Sequence, residues 1–126
     1  MKTHQAWFDG SAIPNPGIMT IGGYINDDIG KPVYEFSSQL GQGTNNQAEY
    51  LALIKVLEKI KNNKIENVEI RGDSALVVNQ VNLKWKAKNP NMKRLRNMAL
   101  ELLEGINWKL SHVPRSENAK ADLLTH

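Results

Sequence analysis

Residues 44–61 have the sequence TNNQAEYLALIKVLEKIK, and the hydrophobic pattern of the chain changes at this stretch. Over 46–61 the apolar residues recur at the spacing of a helix, which predicts one apolar stripe along it. That stripe contains Leu53, Val56, Leu57 and Ile60. Three residues at the start of the stretch are suited to cap a helix: Thr44, Asn45 and Asn46. The stretch therefore predicts an amphipathic helix that packs against a core.

The residues before this helix predict three strands. Apolar and polar side chains alternate over 5–11, and Pro14-Asn15-Pro16-Gly17 ends that run. Further runs typical of strands cover 18–25 and 33–40, and Gly41-Gln42-Gly43 stops the third. Strands joined by turns this short favour an antiparallel meander.

The rest of the chain mixes strands and helices. We predict strands over 68–71 and 106–113, and helices over 74–81, 90–103 and 118–124. The order βββαβααβα predicts an α/β fold in which a mixed sheet carries helices packed on its faces. No linker, repeat or low-complexity tract interrupts residues 1–126, which indicates a single domain.

The composition excludes several classes of protein. The chain has 126 residues, of which 40% are hydrophobic, so it can bury a core and is not expected to be disordered. It has no cysteine, which excludes a disulfide framework, a thiolate metal site and a cysteine nucleophile. No apolar run approaches the roughly 20 residues of a membrane span, and no signal-peptide pattern opens the chain. We therefore expect a cytoplasmic protein that has no membrane partner.

The formal net charge of +3 is unevenly distributed. Six basic residues and no acid lie between residues 84 and 96: Lys84, Lys86, Lys88, Lys93, Arg94 and Arg96. Without these six, the chain has 10 basic residues against 13 acidic ones, a balance of −3. Such a block suggests a polyanionic partner, and the alternative is an ordinary solvated loop and helix face.

Four acidic residues stand at unusual positions in this pattern. Asp9 follows the apolar part of the first strand, Asp73 follows the fourth strand, and Asp122 lies near the start of the last helix. Glu49 projects from the apolar stripe of the predicted helix, where burial of a lone carboxylate is costly. A structural role exists for each: a strand-end turn for Asp9, a capping box with Asn46 for Glu49, an N-cap for Asp73 and a helix-dipole contact for Asp122.

The predicted topology brings these acids together. Parallel pairing of the first and fourth strands places Asp9 beside Asp73, and the helix packed on that sheet directs Glu49 to the same spot. Clustered carboxylates repel one another unless divalent cations bind them, and hard oxygen ligands favour Mg²⁺ or Mn²⁺. Two such ions can activate a water and stabilise the leaving oxygen of a phosphodiester.

Four motifs in series resemble those of type 1 ribonuclease H. They are Phe8-Asp9-Gly10-Ser11 with Asn15-Pro16-Gly17, Thr44-Asn45-Asn46-Gln47-Ala48-Glu49, Gly72-Asp73-Ser74, and His112-Val113-Pro114-Arg115 with residues 118–122. The resemblance runs from residue 7 to residue 124, with the motifs in the order of the family. It implies a ribonuclease H-like fold, with a five-stranded mixed sheet of three antiparallel strands followed by two parallel ones, flanked by helices.

The resemblance also implies an activity, the endonucleolytic hydrolysis of the RNA strand of RNA/DNA hybrids to leave 5′-phosphate and 3′-hydroxyl ends. The catalytic residues that would hold two Mg²⁺ ions, which Mn²⁺ can replace, are Asp9, Glu49, Asp73 and Asp122. His112 lies ten residues before the last acid and matches a histidine that assists catalysis in many members. A structural role at the end of the strand is the alternative for His112.

Substrate contacts follow from the same resemblance. The residues that resemble the family's minor-groove contacts are Asn15, Asn45 and Asn46. Thr44 resembles the contact to a DNA phosphate. By the same resemblance, the binding surface also includes Ser74, Trp85 and Lys86. The structural alternatives are a turn for Asn15, helix capping for Asn45 and Asn46, and core packing for Trp85. We expect a monomer whose partner is an RNA/DNA hybrid. Two other functions stay open: a hybrid-binding module with weak or no catalysis, and a nuclease of this architecture that acts on DNA or Holliday junctions.

Overall fold

Five strands build one mixed sheet in the computed structural model, which describes residues 2–125. They are β1 (His4–Ala12), β2 (Gly17–Asn26), β3 (Pro32–Gly43), β4 (Asn67–Gly72) and β5 (Asn107–His112). The strands lie in the order β3-β2-β1-β4-β5. β2 is antiparallel to β1 and β3, whereas β4 is parallel to β1 and β5. The predicted α/β fold with three antiparallel and then two parallel strands is confirmed.

Helices connect the second half of the sheet. α1 (Asn45–Asn62) joins β3 to β4, and α2 (Ala75–Val81) and α3 (Pro90–Leu103) join β4 to β5. A 3₁₀ helix over Arg115–Asn118 leads into the short α4 (Ala119–Leu123). Within residues 2–125, no helix combines the length and the apolar character that crossing a membrane requires.

Predicted and observed boundaries agree within one residue except at the end of the third strand. The predicted third strand stops at residue 40, but β3 continues to Gly43 because Gly43 pairs with Gly17 of β2 beyond a register shift. The predicted last helix starts at residue 118, whereas α4 starts only after the 3₁₀ helix has ended. The buried Asn118 side chain holds this segment on the sheet, since its Nδ2 donates to the Phe8 carbonyl at 3.0 Å.

α1 packs against the sheet and contributes more buried core residues than any other element. The residues of its predicted apolar stripe, Leu53, Val56, Leu57 and Ile60, are fully buried. They belong to one cluster with Phe8 of β1 and Ile70 of β4, and this cluster extends to Leu95 of α3. The helix that the sequence pattern marks most strongly is therefore the element on which the sheet and α3 are assembled.

The start of α1 lies directly on β1, and Gly10 makes this approach possible. The Thr44 side chain caps α1 by accepting from the Gln47 N–H at 3.1 Å. A Cβ atom at position 10 would clash with the Ala48 carbonyl and would lie 2.7 Å from the backbone nitrogen of Glu49. Both atoms belong to the backbone of α1 and cannot move aside without moving the helix. The absence of a side chain at Gly10 thus sets the distance between β1 and the first turns of α1.

Replacement of Gly10 by alanine tests this close approach. We expect Gly10→Ala to lower the free energy of unfolding by about 1–3 kcal/mol, the usual range for overpacking a filled site. Urea denaturation followed by circular dichroism measures the effect. Gly41→Ala is the matched control, because a Cβ at Gly41 would meet no atom within 4 Å. Equal stability of the two variants would contradict the close packing of α1 on β1.

Candidate active site

Three carboxylates meet just beyond the last residue pair of the parallel strands β1 and β4. Asp9 lies within β1, Asp73 follows β4 directly, and Glu49 lies one turn into α1. The pairing of Trp7 with Arg71 explains the first contact, because Asp9 and Asp73 each lie two residues further along their strand. One carboxylate oxygen of each acid lies within 4.8 Å of the others. We call Asp9, Glu49 and Asp73 the carboxylate cluster.

Local structure does not account for these acids. Asp9 is not at a strand end, because β1 continues to Ala12 and Asp9 is paired with Gly22 of β2. The strand-end interpretation is therefore wrong. The cap of α1 is Thr44, so the capping box proposed for Glu49 with Asn46 is wrong as well. Glu49 instead accepts the Gly10 N–H, at 2.5 Å.

The N-cap interpretation of Asp73 is also wrong. The residue that caps α2 is Ser74, whose hydroxyl accepts from the Val77 N–H at 3.3 Å. The Asp73 carboxylate is consequently available to the cluster.

Two of the three acids are buried and the third is partly buried, so their negative charges lie close together with little access to water. Asp9 is 5% exposed and Glu49 is 8% exposed. Burial raises the pKa of Asp9 above its usual value, and the Asp73 charge raises it further. Burial likewise raises the pKa of Glu49, with additional contributions from Asp9 and Asp73 that the hydrogen bond from Gly10 partly offsets. Three hard oxygen ligands that repel one another are a set that a divalent cation would stabilise.

Asp122 lines the same pocket from α4 and is paired with Arg115. The Nη2 of Arg115 lies 3.2 Å from Oδ1 of Asp122. Asp122 also acts on the cluster, because its hydrogen bond and its charge both raise the pKa of Asp9. Among the described residues that line this pocket, Arg115 is the one cation beside four acids.

Arg115 is a site residue to which the sequence pattern assigns no role. Its hydrogen bond with Asp122 raises the pKa of Arg115, and the charges of Asp9 and Asp73 raise it to a smaller extent. The side chain is 72% exposed, so the guanidinium reaches the pocket from its solvent side. The sequence does contain one signal for Arg115. It is a cation seven residues before Asp122, an acid that already belongs to a motif.

Comparison with known proteins shows the family to which the chain belongs. Residues 7–126 match the family model described as reverse transcriptase-like. Ribonuclease HI of Halobacterium salinarum is 41% identical over 123 residues, which cover 97% of this chain and 62% of that protein. The chain belongs to the ribonuclease H family. It spans less than two thirds of the Halobacterium ribonuclease, and 33% of each of three mycobacterial relatives that it matches.

Two solved structures of ribonucleases H superimpose closely on this one. The crystal structure of RNase H1 from Halobacterium salinarum gives a TM-score of 0.93 at 41% identity, over 97% of this chain and 93% of that one. The crystal structure of LC11-RNase H1 in complex with an RNA/DNA hybrid gives a TM-score of 0.89 at 36% identity, over 96% and 92% of the two chains. The ribonuclease H architecture thus covers almost all of this chain.

Two of the three asparagines predicted to contact substrate, Asn45 and Asn46, lie at the pocket, and the third, Asn15, is hydrogen-bonded to Asn45. Asn45 and Asn46 line the pocket together with Ser74. The Asn45 side chain accepts from the Ala12 N–H at 2.6 Å, and the Asn15 side chain accepts from the Asn45 N–H at 3.1 Å. These bonds tie the turn after β1 to the start of α1. Neither Asn45 nor Asn46 is the cap of α1, a role that belongs to Thr44.

Trp85 and Lys86 lie outside the pocket, on the exposed loop that follows α2. Trp85 is 50% exposed, so the core-packing interpretation of this side chain is wrong. The loop is the first part of residues 84–96, which we call the basic segment. Lys84, Lys86 and Lys88 are all exposed on this loop.

His112 is the last residue of β5 and is held at the strand end. Its Nε2 lies 3.3 Å from the carbonyl oxygen of Asp73, and its ring does not line the pocket of the carboxylate cluster. His112 lines a neighbouring pocket between α2 and β5 instead. Its part in catalysis stays a prediction.

Because the negative charges of the cluster repel one another, we expect the metal-free protein to become less stable against unfolding as the pH rises. The folded-state pKa of Asp9 is raised from 3.8 to about 7, so the folded protein holds a proton that the unfolded chain releases. The wild-type chain should therefore lose stability as the pH rises from 4 to 7. Asp9→Asn removes this charge, and at pH 8 in EDTA it should be more stable than wild type by on the order of 2 kcal/mol.

Thermal denaturation between pH 4 and pH 8 measures this difference. Addition of Mn²⁺ at pH 8 should raise the melting temperature of the wild type and have little effect on Asp9→Asn. Asp28→Asn is the matched control, because Asp28 is an exposed acid in the turn after β2. If Asp9→Asn melts like the control at every pH, the carboxylates do not repel one another as described.

Proposed function

We propose that this chain is a ribonuclease H that hydrolyses the RNA strand of RNA/DNA hybrids with the help of divalent metal ions. The main support is the carboxylate cluster, which lies where β1, the end of β4 and the first turns of α1 meet, in a chain of the ribonuclease H family. A site for nucleic acid binding alone would gain nothing from buried negative charge beside the phosphates. The cluster is therefore the main support for catalysis over simple binding.

The residues present suit divalent cations, and we propose that they hold two Mg²⁺ ions, which Mn²⁺ can replace. Asp9, Glu49 and Asp73 would hold the ions together with Asp122, which lines the same pocket. All four supply hard oxygen ligands, the type that Mg²⁺ and Mn²⁺ prefer. When bound, the ions would supply Lewis-acid activation of a water and stabilisation of the leaving oxygen, which yields 5′-phosphate and 3′-hydroxyl ends.

The chain's own residues would orient the substrate at this site. Asn45, Asn46 and Ser74 offer neutral polar groups at the rim, which suits recognition of the 2′-hydroxyls that only the RNA strand carries. Asn15 and Thr44 flank them on the turn and at the helix cap. LC11-RNase H1, which is similar over nearly the whole chain, has been crystallised with an RNA/DNA hybrid. A hybrid is for these reasons our choice over duplex DNA or a Holliday junction.

The basic residues from Lys86 onward would hold the DNA strand. Lys86 and Trp85 are exposed side by side on the loop after α2, where a cation and an aromatic ring can contact phosphate and sugar. Lys93 and Arg94 continue the exposed positive charge along α3. We propose that a monomer suffices, since all of these elements belong to one chain.

A cleavage assay on defined duplexes tests the activity. With the RNA strand end-labelled and Mg²⁺ present, the chain should cut an RNA/DNA hybrid and leave duplex DNA of the same sequence intact. EDTA should abolish the reaction. Cleavage of duplex DNA at the same rate would contradict the proposed substrate.

Asp9→Asn in the same assay separates catalysis from binding. We expect cleavage to fall by about a thousand-fold or more, since loss of a metal ligand removes several kcal/mol of transition-state stabilisation. Hybrid binding should persist, and Asp28→Asn should cleave like wild type. A wild-type chain that binds hybrids and never cuts them with Mg²⁺ or Mn²⁺ would establish the binding-module alternative instead.

Arg115 provides a further test of the site. We expect its exposed guanidinium to contact a substrate phosphate beside Asp122 through a charged hydrogen bond. Arg115→Ala should then lower the rate at saturating hybrid by roughly 10- to 100-fold. Arg115→Lys should recover part of the rate. Single-turnover kinetics measure this, and an unchanged rate for Arg115→Ala would exclude the contact.

A further inference from the structure

A second pocket, of opposite charge, lies beside the carboxylate cluster. Its polar lining consists of Asn79, Asn82, Lys84, Lys109, Ser111 and His112, and no acid lines it. We call it the basic pocket. We propose that the basic pocket binds a backbone phosphate of the nucleic acid at a position adjacent to the cleaved bond. This inference rests on the proposed function and adds a binding site to it.

The basic pocket is built where the end of α2 packs against β5, an edge strand of the sheet. The Asn82 side chain bridges the two elements by donating to the Leu110 carbonyl at 2.9 Å. The loop then folds back over α2, because the N–H groups of Lys84 and Trp85 both donate to the Asn79 carbonyl, at 2.8 and 3.1 Å. These bonds fix the backbone of Lys84 at the mouth of the pocket.

The two lysines of the basic pocket are available to an anion. Within residues 2–125, neither Lys84 nor Lys109 has an ion pair, whereas Lys120 is paired with Glu35. Glu69, the register partner of Lys109 on β4, is paired with Arg71 at 2.9 Å instead. Both lysines are exposed and flexible enough to reach a phosphate oxygen. The amide of Asn82 and the hydroxyl of Ser111 add neutral polar groups of the kind that phosphates accept from.

The position of the basic pocket relative to the cluster favours a polynucleotide backbone over a free anion. His112 lines the pocket, and its Nε2 contacts the Asp73 carbonyl at 3.3 Å, so the two sites share one segment of backbone. The Val113 N–H donates to the Gly72 carbonyl at 2.9 Å and fixes this junction. Each strand of a duplex presents a phosphate about every 3.4 Å of its axis. Because the two sites are adjacent through Asp73 and His112, a strand that lies at the carboxylate cluster carries further phosphates past the basic pocket.

Hybrid affinity tests the inference. Lys84→Ala, Lys109→Ala and the double variant are compared in an Asp9→Asn background with Mg²⁺, by fluorescence anisotropy at several salt concentrations. Each single change should weaken binding by about 3- to 10-fold, and the double change should reduce the slope of log K against log salt by about 0.9, the value for one phosphate. In the otherwise wild-type chain the same ratios should appear in KM, with kcat unchanged.

Lys61→Ala is the matched control. Lys61 is exposed in the last turn of α1, about 18 Å along the helix axis from Glu49, and should have no effect on either quantity. If Lys61→Ala lost as much hybrid affinity as the pocket variants, the effect would come from the overall positive charge of the chain, and the inference would be overturned. Unchanged affinity in the double variant, with wild-type cleavage intact, would overturn the inference alone. A wild-type chain that neither cuts nor binds hybrids would overturn the proposed function and this inference with it.

Inorganic phosphate distinguishes the two sources of the ligand. In an NMR titration at constant ionic strength, the hybrid should shift the backbone amides of Ser111 and His112, and millimolar phosphate should not. Shifts caused by phosphate alone, together with unchanged hybrid affinity in the lysine variants, would assign the pocket to a free phosphate and overturn the backbone subsite.

Discussion

The contact between the start of α1 and β1 is the constraint on which the site depends. Gly10 has no side chain, so the backbone of Ala48 and Glu49 lies directly on the strand, and the Gly10 N–H donates to the Glu49 carboxylate. This single contact brings an acid from the helix to the acid of β1. Parallel pairing of β1 with β4 then adds Asp73, and the bond from Asn118 to Phe8 holds the segment that carries Arg115 and Asp122. Fold and site are therefore determined by the same few backbone approaches.

The fold brings together carboxylates whose negative charges repel one another. Burial and mutual repulsion raise the pKa of Asp9 and of Glu49, so the metal-free protein pays in stability for a cluster that is useful only when a cation joins it. Arg115 partly offsets this charge from the solvent side. The basic pocket lies across the Asp73 backbone from the cluster, and together they place a negative and a positive site side by side. That arrangement suits a polyanion held at one phosphate and cut at the next.

Much of the architecture can be predicted from the sequence, because its signals are local. The third helix is predicted at 90–103 as observed, since Pro90 suits a first turn and Gly105 ends the helix. The end of β3 is an exception. Its glycines predict a turn, but the strand continues because Gly43 pairs with Gly17, a tertiary contact that the local sequence pattern does not indicate. The pairing of Arg115 with Asp122 depends on an irregular 3₁₀ segment that has no periodicity. Likewise, only the packed structure shows that Trp85 is exposed and that Thr44 and Ser74 are the caps.

Anomalous diffraction would show whether the carboxylate cluster binds a divalent cation. Crystals of the wild-type chain grown with Mn²⁺ would be measured near the manganese absorption edge. We expect an anomalous peak within coordination distance of carboxylate oxygens from Asp9, Glu49 and Asp73. No peak at these residues at saturating Mn²⁺, or peaks only at exposed surface acids, would contradict it.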